Sequence, residues 1–325
     1  MKAQMNFTQT FSDLNIDDTD IAGGKGASLG EMTQANIPVP PGYVVLTDAF
    51  KQFIEANDLE AEIDAALHEV RHEEAHTTEK ASERIQGHIF NAPIPQNIQT
   101  KIKQSFDKLG ADLVAVRSSA TAEDASEEAW AGQLESFLNV TKDSVLEKVR
   151  ECWASLFTPR AIFYRFENNL HDEDISVAVV VQKMIKSKAA GVAFSVHPVT
   201  EEESQMIIEA GFGLGDAVVG GEITPDNYVI EKDSWKIIDV NVNTQNKQYV
   251  RTKDSTLRNP AQSNEWQELA EEKANKQVLT KSQIIELGKI IAQIEDHYGF
   301  PVDVEWAMEG GEFFVVQSRP ITTLH

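Results

Sequence analysis

Residues 302–320, Val302-Asp-Val-Glu-Trp-Ala-Met-Glu-Gly-Gly-Glu-Phe-Phe-Val-Val-Gln-Ser-Arg-Pro320, constrain the fold more than any other stretch, because their alternation reads as a β-hairpin. Side chains alternate across a strand, so Asp303 and Glu305 share one face of the first arm, and Gln317 and Arg319 share one face of the second. Pairing Glu305 with Gln317 and Asp303 with Arg319 leaves Val304, Trp306 and Met308 on the other face with Phe314, Val316 and Ser318, an almost wholly apolar set. A slip of one residue mixes the two sets. This register centres on Gly311 and predicts a three-residue loop, Gly310-Gly311-Glu312, whose glycines supply the positive φ of the turn.

Two carboxylates and an amide on one strand face suit a hard cation such as Mg²⁺, which takes oxygen ligands and bridges protein carboxylates to nucleotide phosphates. Arg319 is then placed to meet a phosphate oxygen or a carboxylate. The competing reading is a sheet edge solubilised by charge, but solvated strands seldom set a Gln and an Arg in register with two acids beside an apolar face.

The chain carries 29 basic and 52 acidic residues, a formal charge of −23, which opposes nucleic acid or an anionic membrane as the main partner. A polyanionic ligand must therefore be held by cations placed locally. Screening does not forbid this, since surface charges are damped beyond about 8 Å at physiological salt while cations in a cleft are damped much less. At 325 residues and 41% hydrophobic content the chain is globular and long enough for two or three subdomains. No run approaches the roughly 18 apolar residues of a membrane span, and the first residues lack a signal-peptide core, so a cytoplasmic location is expected. The single cysteine, Cys152, lies in a helical, apolar context and reads as a buried structural thiol. His68, His72 and His76 have helical spacing, yet their Glu and Arg neighbours favour a solvated helix face over a metal site.

Along the chain, Gly23 to Met32 reads as a glycine-rich loop entering a helix, and the prolines of 37–45 enforce a turn and a strand. Helices are predicted over 48–57, 59–71 and 96–109, and one long amphipathic helix over 144–168. An apolar run at 113–116 reads as a buried strand ending in Arg117-Ser-Ser-Ala-Thr121. Strands follow at 177–181, 191–194, 206–209, 228–231 and 236–239, then a helix near 281–298. The change of character near residue 175 predicts subdomains of 1–175 and 176–325. Cations in the first and acids at the end of the second predict a ligand cleft between them.

Gly23-Gly24-Lys25-Gly26 offers backbone N–H groups and an ammonium before a helix, a good setting for phosphate oxygens, although it lacks the glycine spacing and following Ser or Thr of a Walker A loop. An exposed glycine turn is the competing reading. Arg117, with Ser118, Ser119 and Thr121, clusters a delocalised cation and hydroxyls where a loop meets a sheet. Gly211-Phe-Gly213-Leu-Gly215 is not a dinucleotide fingerprint, because from Gly213 the third glycine position falls on Val218.

Together, residues 23–31, 38–42, Val116-Arg-Ser-Ser-Ala-Thr-Ala-Glu-Asp124, Ala131-Gly-Gln133, Cys152-Trp-Ala-Ser-Leu-Phe157, Gly213-Leu-Gly-Asp216 and Gln317-Ser-Arg-Pro320 resemble the nucleotide-binding domain of phosphoenolpyruvate synthase and pyruvate phosphate dikinase, a domain shared by rifampin phosphotransferase. The resemblance covers nearly the whole chain. It implies an α/β (α+β) ATP-grasp fold with mixed and antiparallel sheets, two subdomains enclosing ATP, and Mg²⁺. By position it implies that Lys25 and Arg117 bind phosphates with Ser118, Thr121 and Gly132 beside them. Gln182, Met184 and Ile185 lie on the strand whose backbone reads adenine, and Glu209 falls near the ribose. Glu305 and Gln317 are the implied metal ligands with Asp303 their neighbour, and Arg319 steadies the transferring group.

The family passes phosphate from ATP to a histidine on a separate swivelling domain. None of the eight histidines here has a small-residue setting suited to that role, so the 325 residues are expected to be a domain fragment, a split subunit or a repurposed chain. The alternatives are a stand-alone ATP-grasp kinase or ligase acting on a small acceptor, and a non-catalytic nucleotide-binding module. Two departures from the family pattern are Trp130 where Phe is usual and His197, before Pro198, where Asp or Asn is usual.

Overall fold

The computed structural model describes residues 6–71, 73–121, 135–168, 170, 175–252 and 264–322. Two compact units divide the chain: Met1–Glu31 with Pro41–Met184, and Met32–Pro40 with Ile185–His325.

The first unit contains β1 (Thr8–Thr10), α1 (Thr19–Gln34, whose last three residues enter the second unit), β2 (Gly42–Val45), α2 (Thr47–Ala56), α3 (Glu60–His68), α4 (Ala75–Asn91), α5 (Gln96–Leu109), β3 (Val114–Ala120), β4 (Ser136–Val140), α6 (Val145–Ser155), α7 (Pro159–Glu167) and β5 (Val177–Lys183). Its strands form one antiparallel sheet in the order β1-β2-β5-β3-β4. β5 is central, and six of its seven residues are buried, which is why its sequence is a continuous apolar run and not an alternation. One face of the sheet, with Tyr43, Val45, Val116, Val179 and Val181, packs on a helical layer that supplies Phe53, Ile85, Ile98, Trp153 and Ile162.

The predicted helix over 144–168 is two helices. Thr158 accepts from the Ala161 N–H and Pro159 occupies the first helical position, so the chain stops at Ser155 and starts again. β3 runs through Arg117 to Ala120 rather than ending before it, because its pairing with β5 continues to Ala120↔Val177. A helix over 75–91 was not expected. Its charged face hides a buried stripe of Thr78, Ala81, Ser82, Ile85 and Ile89.

The second unit contains β6 (Ala189–Phe194), β7 (Gln205–Phe212), α8 (Asp216–Val219), β8 (Asp226–Glu231), β9 (Lys236–Asn241), β10 (Lys247–Arg251), β11 (Asn264–Glu268), α9 (Glu271–Ala274), α10 (Lys281–Tyr298), β12 (Val302–Glu309) and β13 (Glu312–Pro320). Six strands form an antiparallel sheet in the order β13-β12-β6-β7-β8-β9, and β10 and β11 make a separate ribbon. α10 is bounded by a capping box between Thr280 and Gln283 and by Gly299 in the left-handed region, and it lays Ile284, Leu287, Ile291 and Ile294 on one face of that sheet. Both sheets are thus antiparallel in a mixed α/β chain, the fold class expected. Among the described residues no helix is long and apolar enough to cross a membrane.

The hairpin has the predicted pairs Asp303↔Arg319 and Glu305↔Gln317, but not the predicted turn. Glu309 pairs with Glu312 across a two-residue turn, Gly310-Gly311, with φ of 65° and 95°. Two positive φ values are what a tight hairpin turn requires, and two glycines supply them without strain. The spare residue is absorbed by a bulge: Trp306 pairs with Val315 and Glu305 with Gln317, so Val316 is the extra residue of the longer arm. The apolar face therefore holds Val304, Trp306, Met308, Phe313, Val315 and Ser318, correcting the expectation of Phe314 and Val316. Phe313 and Val315 are buried, while Phe314 and Val316 are half-buried.

Candidate functional site

On the face of the second sheet opposite α10, register places polar side chains in two adjacent rows. One row runs Gln317, Glu305, Val192, Glu209, Asn227 across β13, β12, β6, β7 and β8, and the next begins Arg319, Asp303, Phe194. The start of β12 is pinned by Ser195, whose hydroxyl accepts from the Val302 N–H at 2.8 Å and donates to Glu295 Oε1 at 2.9 Å. Arg319 donates through Nε to Asp303 Oδ2 at 2.8 Å, with Nη2 2.7 Å from the same oxygen. That is an end-on grip, which leaves the other carboxylate oxygen aside. Asp303 Oδ1 and Gln317 Oε1 are both buried and accept no hydrogen bond among the described residues.

Burial pushes the Asp303 carboxyl above its ordinary range, against the pull of Arg319, and the charge of Glu305 adds to the push. Burial also raises Glu209, and the nearby Asp303 charge raises it further. Carboxyls that resist ionisation beside orphaned oxygens form a site that a cation would complete. No group of three or more His, Cys, Asp or Glu among the described residues could hold a metal ion. The donor set of Glu305 and Gln317 nevertheless fits Mg²⁺, which keeps most of its shell for water and phosphate oxygens and takes only one or two protein carboxylates.

In the first unit, α1 breaks at Gly23, whose φ of 67° and ψ of 167° are not helical. Lys25 lies in the first helical turn after the break, half-buried. Arg117 and Ser119 project from one face of β3, together with Gln182 from β5, which lies diagonally across the sheet. Ser119 is fully buried and its hydroxyl brackets the break in α1, donating to Ala22 O at 2.9 Å and accepting from Gly26 N at 3.1 Å.

Ser118 points to the opposite face. Its hydroxyl meets Ser155 Oγ at 2.9 Å and the carbonyls of Glu135 and Cys152, so it ties β3 to α6 instead of reaching the Arg117 side. Thr121 is engaged with the backbone of Ser176 in both directions. The N–H groups of Lys183, Met184 and Lys186 are spent on Pro41 O, Leu113 O and Glu309 Oε2, while the Ile185 N–H makes no bond among the described residues. Gly132 and Trp130 lie outside the described residues.

Cys152 is the buried thiol expected, and burial holds it near pKa 12. His197 makes the contacts that an Asp or Asn side chain could make there: its Nδ1 accepts from the N–H groups of Val199 at 3.3 Å and Thr200 at 3.2 Å, as an Asx oxygen would. A cavity of about 350 Å³, lined by Pro93, Ile94 and Arg150 among others, contains none of the candidate residues. Sequence reading named Ser119 only as one hydroxyl among several. The signal that separates it from Ser118 is strand parity, which puts residues 117 and 119 on one face.

A family model described as pyruvate phosphate dikinase, AMP/ATP-binding domain, matches residues 19–325. The chain belongs to this family. As an AMP/ATP-binding domain it is 42% identical, over 98% of its length, to a probable phosphoenolpyruvate synthase of Methanothermobacter thermautotrophicus, of which it covers 46%. It is 44% identical over 96% of its length to a probable phosphoenolpyruvate synthase of Archaeoglobus fulgidus, covering 41% of it. A phosphoenolpyruvate synthase of Pyrococcus furiosus is 38% identical over 98% of the domain, with 44% of that protein covered. The domain thus spans less than half the length of these relatives. Among solved structures, a D-alanine–D-alanine ligase from Helicobacter pylori aligns with 70% of this chain and 47% of that chain at 10% identity and a TM-score of 0.30, a likeness too slight to carry an argument.

Proposed function

We propose that this ATP-grasp domain binds MgATP and performs the nucleotide half of a dikinase-type phosphotransfer, passing a phosphoryl group to a histidine on a separate swivelling domain. The observation that carries the reading is the pair of buried, unpartnered oxygens, Asp303 Oδ1 and Gln317 Oε1, in register beside Glu305 and Arg319. A charged strand edge kept for solubility would point such oxygens at water. The family supports the nucleotide, and the length of the relatives supports an acceptor supplied from beyond these residues.

Phosphoryl transfer asks little covalent chemistry of a protein, so the residues act by position and charge. Lys25 and Arg117 take phosphate oxygens, and Ile185 offers the remaining N–H of its segment to a base. Glu209 receives a ribose hydroxyl. Glu305 and Gln317 hold Mg²⁺, which when bound offsets phosphate charge. Asp303 grips Arg319 through a single oxygen, which leaves the guanidinium's other N–H groups for the transferring group. Titration calorimetry tests the binding step: ATP should bind with Mg²⁺ and lose at least tenfold in affinity when EDTA replaces the metal. Equal heats with and without Mg²⁺ would remove the metal role assigned to Glu305 and Gln317.

A further inference from the structure

In an unbroken helix the Gly26 N–H would donate to the Ala22 carbonyl, the regular bond four residues back. Here the Ser119 hydroxyl stands between them, donating to Ala22 O at 2.9 Å and accepting from Gly26 N at 3.1 Å. A side chain inserted into the helical ladder is one of the few causes of a sharp break. The break at Gly23 divides α1 into two segments and puts Lys25 in the first turn of the second. Gly23 lets the turn lie against β3, since a Cβ there would sit 2.3 Å from both the carbonyl oxygen and Oγ of Ser119. Ser119 itself is two residues from Arg117 on the same face of the strand.

We infer that Ser119 is a positioning residue for phosphate binding: its hydroxyl holds α1 open at Ala22 and Gly26, and so fixes the turn of Lys25 to the strand of Arg117. The inference rests on the MgATP reading and goes beyond it by naming the group that sets Lys25 in place. Without the hydroxyl, the Ala22 carbonyl and the Gly26 N–H are either stranded in a buried site or free to pair directly. Direct pairing straightens α1 across Gly23 and shifts the first turn of its second segment, with Lys25, away from the strand of Arg117.

The test is a double-mutant cycle on the full chain, read by calorimetry with MgATP and with adenosine, which has no phosphate. Ser119→Ala should weaken MgATP about tenfold and leave adenosine unchanged, as loss of a positioning hydrogen bond predicts. In a Lys25→Ala background the same substitution should cost nothing further, because the lysine through which Ser119 acts is gone. A general loosening of the fold would weaken both ligands and add to the effect of Lys25→Ala. If Ser119→Ala does not fold, Ser119→Cys, which fills the same space with a weak donor, should give a several-fold loss confined to MgATP. Wild-type affinity for MgATP in the folded variants, or additivity with Lys25→Ala, would overturn the role of Ser119 alone. Failure of the unaltered chain to bind MgATP would overturn the functional reading first, and the role of Ser119 with it.

Discussion

Asp303 is pulled in two directions, and the balance makes it a reporter of the site. Burial raises its carboxyl above the ordinary value of 3.8 while Arg319 lowers it, and Glu209 is raised above 4.5 by burial and by Asp303. A carboxyl raised in the folded state stabilises the fold while protonated, below its unfolded value, and that contribution is lost as pH climbs through the raised folded value. On account of these two groups the ligand-free domain should therefore lose stability as pH rises just above the ordinary carboxylate range. Urea midpoints across that window should show a shallower fall for Asp303→Asn, which removes one group and relieves the other. Mg²⁺ prefers the ionised forms, so its affinity should rise with pH over the same window. Arg319→Ala withdraws an influence that favours the Asp303 anion, and carbonyl carbon NMR should find the Asp303 titration moved upward. The same variant should lower phosphoryl transfer to an added histidine domain by about 10² to 10³, the range seen when a preorganised charge donor is deleted. Unchanged transfer would remove Arg319 from the chemistry.

At the scale of elements, the hairpin shows what alternation can and cannot say. The polar pairs were legible because two acids, an amide and a guanidinium share a parity that only one local register satisfies. The turn was not, because counting inward from those pairs assumes a continuous ladder, and the bulge at Val316 breaks it. The bulge lets a tight turn coexist with the polar register. Among the described residues no atom lies within 4 Å of where a side chain on Gly310 or Gly311 would begin, so substitutions there act through the backbone. Gly310→Asn, at φ 65°, should leave stability within about 0.5 kcal/mol because Asn tolerates the left-handed region, whereas Gly311→Val should cost about 1–2 kcal/mol. Thermal unfolding would measure both. Magnesium affinity should survive the second, since the bulge separates the turn from Glu305 and Gln317. The helix over 75–91 was hidden by the opposite problem, a buried stripe built partly of Thr, Ala and Ser that no hydrophobic count detects.

At the scale of the whole molecule, the class of fold was legible from apolar runs bounded by turns, but the membership of the units was not. Residues 32–40 join the second unit although their neighbours on both sides belong to the first, and the Val315 N–H donates to Pro38 O across 277 positions of sequence. Such a pairing leaves no local trace. The charge of −23 was plain from composition, and it bears on how an anion arrives. On the proposed reading, MgATP meets net repulsion far from the surface and the cations Lys25 and Arg117 within a few ångströms. Raising salt from about 10 to 150 mM shrinks the screening length from about 30 to 8 Å, which removes the far repulsion before it removes the near attraction. The association rate of a fluorescent ATP analogue, followed by stopped flow, should therefore rise with salt over this range, and the dissociation rate should rise too as the direct contacts weaken. Steering by the local cations at all distances predicts the reverse for association, a steady fall with salt. Lys25→Ala separates the two effects, since it removes a proposed near contact and changes the net charge by one part in 23. Its association rate should keep nearly the same slope with salt, while its dissociation rate starts higher at every salt concentration.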